Sequence, residues 1–120
     1  MAKQKMLAMP SKNRDRNMAY KVEVSESADS DVDKILTYIV EEIGSPQAAS
    51  DFADELDAKY ERLEEHPFIF ELSRNTRLAG MGYRRFVVGN YVALYLVDEK
   101  KRIVTISRLF YGRQDYEKHI

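Results

Sequence analysis

From Gly82 to Tyr116 the chain alternates short apolar runs with two polar breaks, and this pattern predicts three consecutive antiparallel strands. Val87, Val88, Tyr91, Val92, Tyr95, Val97, Ile103, Val104, Thr105 and Ile106 are β-branched or aromatic, the types that suit a pleated, half-buried surface. Gly89-Asn90 tolerates the positive φ of a tight hairpin. Asp98-Glu99-Lys100-Lys101 supplies the second reversal. With a two-residue first turn, Val88 faces Tyr91, Phe86 faces Ala93 and Arg84 faces Tyr95. A reversal spanning Asp98 to Lys101 pairs Val97 with Arg102 and Tyr91 with Arg108, so that Arg84 and Arg108 share one face and Arg85 lies on the other. A slip of one residue moves side chains to the opposite face, so the pattern leaves open which arginines line the exposed side.

Upstream, Tyr20 to Val24 alternates like a half-buried strand. Ser25 is a good N-cap, and Ala28, Val32, Ile35, Leu36, Ile39 and Ile43 form one helical stripe that ends at Gly44, suited to a left-handed C-cap. Ser45-Pro46 opens a second helix with its stripe at Ala49, Phe52, Ala53, Leu56, Tyr60 and Leu63, which ends before Pro67. The short connection predicts a helical hairpin. Phe68 to Met81 reads as a connecting loop, anchored by Phe68, Ile69, Phe70 and Leu72 and cationic at Arg74 and Arg77. The order is β-α-α-β-β-β. It predicts an α+β fold in which an antiparallel sheet packs one face on the helical hairpin and leaves the other open.

At 120 residues the chain is one domain. Residues 1–17 lack periodicity and read as a disordered basic extension, with the folded domain at 18–120. The absence of cysteine excludes disulfides, thiolate metal sites and a cysteine nucleophile, and two histidines, His66 and His119, do not make a histidine cluster. No apolar run approaches the ~20 residues of a membrane span, and no secretory h-region is present, so a soluble cytoplasmic protein is expected. The net charge of −1 hides a segregation: residues 19–73 carry four basic and fifteen acidic side chains, residues 74–120 ten basic and four acidic. A basic C-terminal half points to an anionic partner for one face, while the acidic helices read as solvated.

Gly82-Tyr83-Arg84-Arg85, Val88-Gly89-Asn90-Tyr91, Tyr95-x-Val97-Asp98-Glu99 and Tyr111-Gly112-Arg113-Gln114-Asp115-Tyr116 occur in order. Asp31, Ile35 and Tyr38 on the first helix and Ser45-Pro46-x-Ala48-Ala49 opening the second precede them. Together they resemble the RelE/ParE superfamily of bacterial type II toxin–antitoxin toxins, over essentially residues 18–120. The resemblance implies a toxin neutralised by a cognate antitoxin, with no cofactor and no metal. RelE-like members cleave messenger RNA on the ribosome; ParE-like members act on DNA gyrase.

Metal-free RNA cleavage requires removal of the 2′-OH proton, stabilisation of charge on phosphorus, and a proton for the leaving oxygen. The RelE-like reading places these tasks on Arg85, Arg113 and Tyr116 (or Tyr111) as catalytic residues. Arginine clamps phosphate but stays protonated and makes a poor base. Where RelE-like nucleases carry an arginine after the hairpin turn, this chain has Val92, and its Tyr111-Gly112-Arg113-Gln114-Asp115 ending is closer to the ParE-like one. The ParE-like reading is therefore preferred, with the ribosome-dependent nuclease second and a non-toxic RNA- or protein-binding module third. Arg74, Arg77, Arg84, Arg108 and Tyr111 are the candidates for contacting target or antitoxin. Arg108, flanked by apolar residues, is equally well explained by an ion pair with a helix carboxylate.

Overall fold

A computed structural model describes residues 19–114. The expected N-terminal extension, Tyr116 and His119 lie outside them.

Strand β1 (Lys21–Val24) leads into helix α1 (Glu26–Tyr38), which continues as a single π-helical turn over Ile39–Ile43. The Ser25 hydroxyl caps α1 by accepting from the Ala28 N–H at 3.0 Å. Gly44 then turns the chain at φ 78°, a conformation open to glycine at little cost. Helix α2 (Pro46–Glu65) starts with Ser45 Oγ accepting from the Ala48 N–H, and stops at His66, ahead of Pro67. A short helix α3 (Thr76–Gly80) precedes β2 (Arg84–Val88), β3 (Tyr91–Asp98) and β4 (Ile103–Tyr111), and a 3-10 turn covers Gly112–Gln114.

The sheet order is β1-β4-β3-β2. Its last three strands form the expected antiparallel meander, and β1 joins it parallel to β4, with Lys21 opposite Ile103 and Val24 opposite Ile106. The first hairpin has the expected register, with Val88 opposite Tyr91 and Arg84 opposite Tyr95. The second does not. The Asp98 carboxylate accepts from the Lys101 N–H at 3.0 Å, and Arg102 takes a left-handed φ of 56°, so the reversal spans residues 99–102 instead of 98–101 and Asp98 pairs with Ile103. A β-bulge then skips Ser107: Tyr95 pairs with Ile106, Leu94 with Arg108, and Tyr91 with Tyr111. Arg85 and Arg108 thus both face Leu94, whereas Arg84 sits across from Tyr95, the reverse of the expected grouping.

One sheet face carries the main core. Ile35, Ile39, Phe52, Leu56, Tyr60 and Leu63 of the helices pack on Val22, Phe86, Val88, Tyr95, Val104 and Ile106. The opposite face, expected to be open, is partly closed. Leu78 of α3, only 1% exposed, joins Val92, Leu94 and Phe110 in a second cluster with Tyr83 against it. The segment before α3 is anchored differently from expectation as well. Phe68, Ile69 and Leu72 are exposed, and Phe70 alone of the four packs on the core, 5.5 Å from the Phe86 ring. Polar bonds replace the missing apolar anchors: the Tyr95 hydroxyl donates to the Pro67 carbonyl at 2.9 Å, and Arg84 to the Phe70 carbonyl at 2.7 Å.

Burial pushes the Tyr95 phenol up to about 12, against the opposing pull of Arg84 and a backbone hydrogen bond at Phe70. A phenol held protonated by the fold leaves stability flat below pH ~10 and removes it as pH rises from ~10 toward ~12, because only the unfolded chain ionises freely there. The expected loss from Tyr95 is about 1.4 kcal/mol by pH 11. Urea melts at pH 8 and 11 on the parent and on Tyr95→Phe check it: the variant should lose less stability between the two pH values by about that amount. Tyr60, raised chiefly by burial, adds to the alkaline loss in both proteins.

Candidate protein-interaction surface

The arginines fall into two groups. Arg108 follows the bulge on the stretch of β4 that β1 no longer flanks. Its Nε and Nη2 donate to Asp31 of α1 at 2.8 and 3.1 Å, and the Leu109 N–H donates to the same carboxylate at 2.9 Å. Arg85 is buried, with Nη1 2.9 Å from the Glu71 carboxylate. Arg84 donates to backbone carbonyls, and its guanidinium lies 5.1 Å from the centre of the Phe68 ring. These three side chains hold the sheet to its coverings.

Arg74, Arg77 and Arg113 form the second group. Arg74 is 71% exposed and reaches Glu71 at only 3.7 Å, a separation of little energetic weight at the surface. Arg77 projects from α3 with its Nη1 4.0 Å from the Met81 sulfur. Arg113 lies exposed on the 3-10 turn. Of the residues that the nuclease reading requires, Arg85 is an internal ion-pair partner and Arg113 is accessible. Val92, in the place of the missing cation, is buried in the second cluster.

Tyr111 belongs to a feature that the sequence pattern did not reveal. Its ring meets that of Tyr91 edge-on at 5.6 Å, and Tyr91 meets Phe52 at 5.5 Å. Together with Tyr38 and Ile43 they line a groove of ≈ 660 Å³ between the α1–α2 junction and the Gly89-Asn90 turn. Tyr38 and Ile43 are half-exposed or more. Asp51 and Glu55, one turn apart on α2, stand along it. Burial, then the neighbouring phenols Tyr38 and Tyr111, push the Tyr91 phenol up. Tyr91 reads as a packing residue of the strand, Tyr111 as a candidate contact for target or antitoxin, and Asp51 and Glu55 as solvated helix charges. Only the Tyr91–Tyr111 register, which depends on the bulge, brings them to one place. No local signal marks it.

Residues 22–116 match the family model described as the ParE toxin of the type II toxin–antitoxin system parDE. Toxin ParE1 of Caulobacter vibrioides is 37% identical over 83 residues, which cover 69% of this chain and 82% of that protein. Among solved structures, the chromosomal ParDE toxin–antitoxin system of P. aeruginosa superposes with a TM-score of 0.60 at 18% identity, covering 78% of this chain and 96% of the other. The toxin–antitoxin complex RelBE2 of Mycobacterium tuberculosis gives 0.56 at 20% identity, covering 80% and 94%. At such identities the structural likeness speaks for the fold, and the sequence matches speak for the family.

Proposed function

We propose, given that this chain belongs to the ParE toxin family of type II toxin–antitoxin systems, that it arrests growth by acting on DNA gyrase and is silenced by a cognate antitoxin. The observation that carries the choice of gyrase over messenger RNA is the state of Arg85. A guanidinium 6% exposed and joined to Glu71 at 2.9 Å is in no position to clamp a scissile phosphate from outside. Val92, buried where the nuclease pattern wants a cation, points the same way.

Inducing the chain with and without the product of the neighbouring gene tests this reading. Arrest relieved by the companion, with intact messages and loss of gyrase supercoiling by the purified chain, is the expected result. Ribosome-dependent cuts in messages with gyrase unaffected would move the chain to the nuclease class. Undisturbed growth on induction alone would leave only a binding module.

A further inference from the structure

The tyrosine-lined groove has a chemistry of its own. Its floor is aromatic and aliphatic, and its phenol hydroxyls can donate and accept hydrogen bonds. Its only charged lining residues among the described residues are the carboxylates Asp51 and Glu55. Existing contacts leave these carboxylates available: Asp51 accepts from the neutral amide of Gln47 at 2.9 Å, and Glu55 meets Lys59 at a loose 3.5 Å. Lys59 is itself drawn toward the Val87 carbonyl at 2.6 Å, and Phe86 and Phe70 lie close by. A second observation concerns the wall. The α1–α2 junction is a π-helical turn, a rare conformation that recurs at functional sites, and it holds Ile43 at 58% exposure. Large apolar side chains held half in water over aromatic rings mark a contact surface.

We propose that this groove receives a cationic amphipathic segment of the antitoxin, with aliphatic side chains laid on the tyrosines and lysine or arginine head groups drawn to Asp51 and Glu55. The inference rests on the toxin–antitoxin reading above. An acidic segment is disfavoured by the same carboxylates, and the fifteen acidic residues between Ala19 and Ser73 set the surrounding field. Guanidinium or ammonium groups gain twice here, from the carboxylates and from the electron-rich ring faces. Arg108, which adjoins Tyr38, Tyr91 and Tyr111, is held by the Asp31 carboxylate at 2.8 Å, so its charge is already matched beside the groove.

The test uses the full chain and two labelled helical peptides with identical leucine stripes, one carrying arginines and the other glutamates, followed by fluorescence anisotropy. The arginine peptide should bind at least tenfold more tightly. Asp51→Lys/Glu55→Lys should weaken it at least tenfold, and Tyr38→Ala severalfold, with far-UV circular dichroism unchanged. Asp54→Lys/Glu61→Lys, on exposed positions of the same helix outside the groove, should have little effect. An equal loss from both double variants would reduce the contact to diffuse attraction and overturn the proposal. The neighbouring gene's product is then titrated against the parent and Asp51→Lys/Glu55→Lys. If it binds both equally, the groove assignment fails while the antitoxin reading stands. If it binds neither, both fail. A charge-reversed chain that keeps its companion but no longer arrests growth would give the groove to the target, and would likewise overturn the proposal.

Discussion

Replacing Asp31 by alanine is expected to lower the unfolding free energy by about 2–3 kcal/mol. The carboxylate is 12% exposed and accepts from two guanidinium nitrogens and one backbone N–H. Without it, a partly covered guanidinium and an edge N–H of β4 lose their acceptor together. The requirement arises from β1, which ends at Val24 and leaves β4 without a neighbour strand beyond Ile106. The Ser25 hydroxyl donates to the Ser107 carbonyl at 3.0 Å and Asp31 takes the Leu109 N–H, so α1 completes by side chains what β1 began by backbone. Urea melts would show the loss, and Asp33→Ala, exposed two residues away, should stay within about 0.5 kcal/mol. Combining Asp31→Ala with Arg108→Ala should cost less than the two singles added, because the pair acts as one unit. A change below about 0.5 kcal/mol for Asp31→Ala would show that the clasp is unimportant.

Leu78→Ala is expected to cost about 3 kcal/mol, within the 2–5 kcal/mol range for emptying a buried leucine site. Leu78 is the plug through which a five-residue helix closes the second sheet face over Val92, Leu94 and Phe110. A helix this short has little stability of its own, so it depends on that one side chain. Hydrogen exchange on the variant should show the amides of Thr76–Gly80 deprotected well before those of α1 and α2. Leu78→Met, which keeps the volume, should cost less than about 1.5 kcal/mol. Unchanged protection in Leu78→Ala would mean that the Asn75 cap and the Gly82 turn hold α3 without the plug.

The elements were legible because their signals are local. Ser25, Gly44, Ser45-Pro46 and His66-Pro67 mark helix ends through caps and steric limits that act within a few residues, and Gly89-Asn90 fixes its hairpin by turn geometry alone. What stayed hidden depends on choices made between distant residues. The turn after Asp98 moves one residue along, which slips the pairing by two, and the bulge at Ser107 adds one more residue of slip, so Arg108 changes its pleat although nothing in its own neighbourhood says so. Leu78 gave too short an apolar run to read as a helix, and its burial follows from a sheet face that must be covered. Of the candidate site residues, Arg85 looked like a ligand-facing cation because its acid partner, Glu71, lies 14 residues away, whereas the helix ion pair was legible for Arg108 from its apolar flanks although its partner, Asp31, 77 residues away, was not.

The position of β4 has a consequence for how the toxin comes into being. Its inner location between β1 and β3 means that the first strand made must wait for nearly the last: Lys21 meets Ile103 only after some eighty intervening residues have emerged. Such distant closures are slow and come late on the route to the native state. Until β4 has been made, β1 has no strand to pair with and the four-stranded sheet cannot close.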